Sequence, residues 1–216
     1  MTVSASTEFE RFGGVCALLT GLLSLLYSIT FVFLTKLAPS AGAISSSIFL
    51  TAGGLISTGA LVAIYERLTL FENNSTITRQ NPSTRAFALW ALLLSIFGAF
   101  GFVIFGGYTL TVSLHPASAT GLANQADPSG LLSFGISGLA LIIISWLILR
   151  TGTFPRSFGL LGFVLGVLLV WFYTGRLLIA SLASPVVLVP GVLSGLIVQP
   201  AWYLWLGYIL IKSTKK

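Results

Sequence analysis

Charged side chains are scarce in this chain. Only 7% of its 216 residues are Asp, Glu, Lys or Arg, whereas roughly a quarter are charged in an ordinary soluble domain. Hydrophobic residues make up 56% of the chain, and the mean hydropathy is +0.99. The composition therefore indicates that lipid surrounds most of the chain.

Metal-binding and proton-carrying residues are scarce as well. Cys16 is the single cysteine and His115 the single histidine, which excludes an internal disulfide, a thiolate cluster and a bis-histidine haem. No Asp, Glu, Lys or His lies in the middle of an apolar run. A proton-coupled pump and a retinal Schiff base, which need such a buried group, are therefore not expected.

The polar segments contain no Walker A run, no HExxH helix and no Ser-His-Asp set. The sequence therefore predicts no catalytic residues, no cofactor and no metal site, and we do not expect an enzyme. The net charge of +6 is spread over short segments between apolar runs. Because basic residues are not gathered on one face, nucleic-acid binding is not expected either.

Six apolar runs are long enough to cross a membrane, which takes about 20 residues. They are continuous rather than alternating, which favours α-helices over a β-barrel. The sequence thus predicts an all-α membrane protein with one transmembrane domain over residues 1–216. The six runs are 12–34, 44–64, 86–111, 130–149, 158–179 and 186–211.

Lys and Arg are divided unequally between the two sides of the membrane. Only Lys36 and Arg176 fall on one side, and nine fall on the other. Positive residues in short loops tend to stay in the cytoplasm, so both termini are predicted to be cytoplasmic. The nine are Arg11, Arg67, Arg79, Arg85, Arg150, Arg156, Lys212, Lys215 and Lys216.

The segment "RTGTFPRSFG" is predicted to be a short cytoplasmic turn between the fourth and fifth helices. Pro155 holds Phe154 in extended backbone, which ends a helix, and its fixed φ suits a turn just before the next one. Aromatic residues are expected at the interfaces. Trp90, Trp146, Trp202 and Trp205 would form the cytoplasmic belt, with Trp171 and Tyr173 on the outer side.

Small residues recur at helical spacing, and such faces let helices approach closely in lipid. They could pack within the chain or against a partner subunit, and the spacing leaves both open. The pairs are Gly162/Gly166, Gly191/Gly195 and Ser133/Ser137. Similar strings at Gly54, Gly130 and Gly191 ("GLISTG", "GLLSFG", "GVLSGL") are compatible with three related helical hairpins.

The string "LIVQPAWYLWLG" places Gln199 and Pro200 inside the sixth helix. Proline removes a backbone hydrogen bond and usually kinks a helix. The neighbouring amide can satisfy the freed carbonyl or reach another helix. The pair is therefore a structural kink, or else a polar spot lining a small cavity.

The C-terminal half resembles a group of uncharacterised six-helix bacterial membrane proteins that are defined only as a domain of unknown function. The resemblance lies in the turn at Pro155 and Arg156, in the glycine-rich fifth helix and in the sixth helix ending in "WLGYIL". It implies a multi-pass protein of the bacterial cytoplasmic membrane, in contact with membrane lipids. It implies no activity and no functional residues.

Two functions fit these features. The first is a non-catalytic structural or accessory subunit, which would pack its glycine-rich faces against other membrane protein subunits. The alternative is a passive carrier or binder of an apolar or lipid-like small molecule, which would use the Gln199 and Pro200 kink.

The predicted orientation can be tested with single cysteines in a Cys16-free background. Cysteines at Thr78 and Ser157 should be protected from membrane-impermeant thiol reagents in intact cells, and one at Ser118 should be labelled. Labelling of the Thr78 variant without permeabilisation would contradict cytoplasmic termini.

Arg176 is the one basic residue within an apolar run on the outer side. It either extends to the interface as an anchor or pairs with Asp127, the only acidic residue predicted on that side. If the pair exists, Arg176→Gln and Asp127→Asn should lose less thermal stability together than the sum of the single losses. Simple additivity in detergent, within about 0.3 to 0.5 kcal/mol, would leave Arg176 as an anchor only.

Overall fold

The computed structural model describes residues 3–74, 82–115, 131–179 and 184–213. Within these residues there are six helices that are long and apolar enough to cross a membrane. The predicted all-α class is therefore confirmed, and the chain is a multi-pass membrane protein. Helices satisfy their own backbone hydrogen bonds, which lipid cannot do for them.

Two of the six helices are interrupted by a π-helical turn. Helix α1 comprises Val3–Ile29, the π-turn Thr30–Leu34 and a last turn, Thr35–Leu37. Helix α6 comprises Pro185–Leu193, the π-turn Ser194–Val198 and Gln199–Ser213. The uninterrupted helices are α2 (Pro39–Asn74), α3 (Pro82–Leu114), α4 (Leu132–Thr151) and α5 (Arg156–Ile179).

The helices extend beyond the predicted apolar runs. Helices α2, α3 and α6 each begin at a proline, whose missing N–H costs nothing in a first turn. Helix α2 continues through "ERLTLFENN" to Asn74, because Glu, Arg and Leu are good helix formers once a helix is established. The predicted polar loop between α2 and α3 is correspondingly shorter.

The turn between α4 and α5 lies where the sequence predicts it. Helix α4 ends at Thr151, and Gly152 follows with a φ of 67°. The Gly152 N–H donates to Ile148 O at 3.0 Å, as is usual for a glycine that ends a helix in the left-handed conformation. Helix α5 starts at Arg156, directly after Pro155.

The six helices form a ring in chain order. Each helix packs against the next one along the chain, and α1 packs against α6 to close the ring. Helix α5 contacts α6 mainly through Pro185–Leu193. The start of α1 and the end of α6 lie at one end of the ring, where Glu10 of α1 meets Ser213 of α6. We call this end the termini end.

Close backbone approach at glycines holds neighbouring helices together. A Cβ atom on Gly138 of α4 would lie 2.8 Å from the carbonyl oxygen of Gly166 in α5, and the reverse distance is also 2.8 Å. Gly14 of α1 and Gly207 of α6 meet in the same way, at 3.2 and 2.7 Å. Small residues are therefore needed where the ring closes as well as within it.

The small-residue pairs singled out in the sequence all pack within the chain. Gly162 faces Ser145 and Trp202, Gly191 faces Phe172, and Gly195 faces Ser28. Ser133 and Ser137 lie against Gly101 and Gly98 of α3. The three-hairpin repeat stays a prediction, since one of its three strings starts at Gly130, outside the described residues.

The half of the ring near the termini end has a densely packed apolar core. Trp202 is fully buried there, and its ring stacks on Phe158 at a centroid distance of 5.1 Å. The expectation that Trp202 belongs to an interfacial belt is therefore wrong. The reason is Gly162, whose missing side chain leaves room for the indole. Other fully buried members of this core are Ile64, Leu68, Leu147, Ile148, Leu206 and Leu210.

The outer surface of the ring carries large apolar side chains. On α3, Phe97, Phe100 and Ile104 are 67%, 56% and 57% exposed. Trp90, Trp146 and Trp171 are exposed as well. Such a surface suits lipid contact.

Gly138→Ala should destabilise the protein, because the added methyl group meets a backbone oxygen that cannot rotate away. We expect a loss of about 1 to 3 kcal/mol, as for overpacking in a core, measured by thermal unfolding in detergent. Gly107→Ala is the matched control, since a Cβ there meets nothing within 4 Å. Equal melting temperatures for the two variants would contradict the role of the Gly138–Gly166 approach.

Candidate functional site

The predicted pair Gln199 and Pro200 lies where the π-turn of α6 returns to α-helix. The Gln199 N–H donates to Ser194 O, five residues back, and Pro200 has no N–H to donate. The predicted irregularity therefore takes the form of a π-turn directly before the proline. Pro200 is buried, and Gln199 lines the interior of the ring.

Two small cavities lie inside the ring, with volumes of about 30 and 50 Å³. Both are lined by Ser57, Phe102, Gln199 and Tyr203, so they meet near the middle of the membrane. One water needs about 10 to 15 Å³ on this measure. The cavities therefore have room for roughly two and four water-sized groups, and we call them together the cleft.

Serine and threonine hydroxyl groups from four helices line the cleft. Ser95 of α3 and Ser137 of α4 line the smaller cavity. Thr20, Ser24 and Ser28 line the larger one, and their spacing of four residues places them in one stripe along α1. Apolar side chains complete the walls: Leu61, Ala99, Leu141 and Leu169 in the smaller cavity, and Phe49, Leu50 and Phe134 in the larger.

Three of these hydroxyls are bonded to their own helix. Thr20 donates to Cys16 O at 2.8 Å, Ser24 to Gly21 O at 2.9 Å and Ser57 to Gly54 O at 2.8 Å. A buried hydroxyl without a partner would be costly in lipid. These bonds therefore let the polar lining exist at this depth.

Among the residues that the structure describes, none that lines the cleft is charged. A charged cluster lies instead at the termini end, where Arg67 of α2 donates to Ser213 Oγ at 3.0 Å and lies 4.0 Å from a Glu10 oxygen. The Arg67 guanidinium also sits 4.8 Å above the Phe154 ring. The cluster joins α1, α2 and α6 to the turn after α4 and so fastens this end of the ring.

Arg176 is half-buried in the last turn of α5, at the end of the ring opposite the termini. A cation is favourable there, because the C-terminus of a helix carries partial negative charge. Asp127 lies outside the described residues. Gln199 therefore lines the cleft, and Arg176 is not among its described lining residues. The Arg176–Asp127 pair stays a prediction.

The hydroxyls of the cleft and the contact of Glu10 with Arg67 are not predicted from the sequence. The stripe of Thr20, Ser24 and Ser28 is visible in the sequence as a polar residue every fourth position, yet serine and threonine also serve as small packing residues. The cluster at Arg67 has no such signal, because its members come from distant parts of the chain.

The cleft offers side chains that can hydrogen-bond. Its described lining holds no His, Cys, Asp or Glu, and no group of three such residues that could hold a metal ion occurs in the described part of the chain. No family model, curated protein or solved structure matches the chain. The resemblance to the six-helix bacterial family therefore stays a prediction.

Proposed function

We propose that the protein is a non-catalytic membrane protein that binds or carries a small, uncharged, lipid-like molecule in the cleft. The observation that carries this proposal is the lining itself. Serine, threonine, tyrosine and glutamine side chains meet apolar ones near the middle of the membrane, and none of the described residues among them is charged. A concave, mostly apolar site with a few convergent polar groups is typical of small-molecule binding.

The cleft is closed toward the termini end by the core around Trp202 and Phe158. This arrangement supports a binding site with one closed end. It does not support a continuous pore through the ring. The positive charge bias further supports placing this closed end in the cytoplasm of a bacterial cell, with the cleft on the outer side.

The accessory-subunit hypothesis is supported less well. It relied on glycine-rich faces that would contact other subunits, and the pairs singled out in the sequence pack against helices of the same chain. A partner would have to use the apolar outer surface instead.

Gln199→Met should weaken binding of the molecule, because methionine matches glutamine in length but has no hydrogen-bond donor and only a weak acceptor. Losing a net 1 to 1.5 kcal/mol of hydrogen bonding corresponds to roughly a tenfold loss of affinity. The measurement is mass spectrometry of small molecules that co-purify in mild detergent. Ile197→Met is the matched control, since it places the same side chain on the same helix at a position that is 60% exposed.

We expect the Ile197→Met variant to retain the molecule and both variants to melt within a few degrees of the parent protein. A parent protein that carries no small molecule, but co-purifies with a stoichiometric partner, would overturn the proposal in favour of the accessory subunit.

A further inference from the structure

The directions of three hydrogen bonds in the cleft narrow the chemistry of the molecule that the proposed function requires. A hydroxyl group has one proton to donate and two lone pairs to accept with. Thr20, Ser24 and Ser57 each give that proton to a carbonyl of their own helix. Toward the cleft, these three side chains can therefore only accept hydrogen bonds.

The backbone of α6 leaves the carbonyl of one cleft residue without its usual helical donor. A carbonyl in a helix usually receives the N–H four residues on, or five residues on in a π-turn. Gly195 lines the larger cavity. The N–H four residues after it belongs to Gln199 and donates to Ser194 O instead. The residue five positions after it is Pro200, which has no N–H.

Gln199 supplies the complementary group, because its amide carries two donors and one acceptor. A ligand group that both donates to the hydroxyls and accepts from the amide suits this wall. Charged groups suit it poorly: among the described residues of the lining, an ammonium would meet no carboxylate, and a carboxylate or phosphate would meet no Lys, Arg or His. An unpaired charge at this depth is costly.

We infer that the cleft binds the hydroxyl head of an apolar-tailed alcohol. The head donates to the acceptor wall formed by Thr20, Ser24 and Ser57 and accepts from the Gln199 amide. The volume of the two cavities limits the head to a few heavy atoms, and Phe102 and Phe134 provide apolar surface for the start of the tail. Water shares the same donor and acceptor chemistry, and the experiment distinguishes the two.

The test compares four probes that share a twelve-carbon chain: 1-dodecanol, its methyl ether, dodecylamine and dodecanoic acid. Each is added to the full-length protein in mild detergent at equal mole fraction. Binding is measured as the concentration dependence of the thermal shift and as adducts in native mass spectrometry. We expect the alcohol to bind at least tenfold more tightly than the ether, which keeps the oxygen and lacks the proton.

Ser57→Ala removes one acceptor from the wall and should weaken alcohol binding several-fold while leaving ether binding unchanged. Ser45→Ala is the matched control on the same helix, because Ser45 makes the same type of bond, to Ala41 O at 2.7 Å, and does not line the cleft. Ser24→Ala provides a second test of the wall, should Ser57→Ala lower the yield of folded protein.

The outcomes separate this inference from the proposed function. Equal binding of alcohol and ether, or tighter binding of the amine or the acid, would overturn the hydroxyl inference and leave a lipid-like ligand in place. Binding of none of the four probes, together with no co-purified molecule, would overturn both, and would leave water as the occupant of the cleft.

Discussion

Close approach of helix backbones at glycine is the constraint on which the rest of this structure depends. In lipid, helices gain little from hiding apolar side chains, since the solvent is equally apolar, and they associate through van der Waals packing instead. The contacts of Gly138 with Gly166 and of Gly14 with Gly207 bring carbonyl oxygens within about 3 Å of where a side chain would begin. With larger residues at these positions, the helices would separate and the interior of the ring would change shape.

The same ring packs differently along its length. Near the termini end, Trp202, Phe158 and the surrounding leucines and isoleucines fill the interior, and the Glu10–Arg67–Ser213 cluster fastens the helix ends. Toward the middle, serine and threonine replace these large residues, and small side chains leave the cleft. The densely packed half of the ring can hold the helices together, while the other half contains the cleft, where a ligand could bind.

Three hydroxyls of the polar lining, those of Thr20, Ser24 and Ser57, donate to carbonyls of their own helices. Hydroxyls that donate to a carbonyl three or four residues back remove the cost of an unsatisfied proton in lipid. They retain lone pairs that a ligand can use. The π-turn before Pro200 also changes the hydrogen bonding beside the cleft, because the Gln199 N–H donates to Ser194 O and not to Gly195 O. The candidate site is thus formed by serine and threonine hydroxyls and a π-turn before a proline, and not by charged residues.

Much of the fold was predictable from residues close together in the chain. Six apolar runs, the proline at the α4–α5 turn and the proline within α6 determine where helices cross the membrane and where they are interrupted, because these effects act over one or two turns. Gln199 is identified in the same way, as a polar residue beside a proline at mid-membrane.

The tertiary structure alone decides the positions of Trp202, of the stripe along α1 and of Glu10 beside Arg67. Burial of the indole beside Gly162 depends on which helix faces are neighbours in the ring, and so does the contact between residues on helices α1, α2 and α6. Apolar periodicity does not specify these neighbours in lipid, because both faces of a membrane helix are apolar.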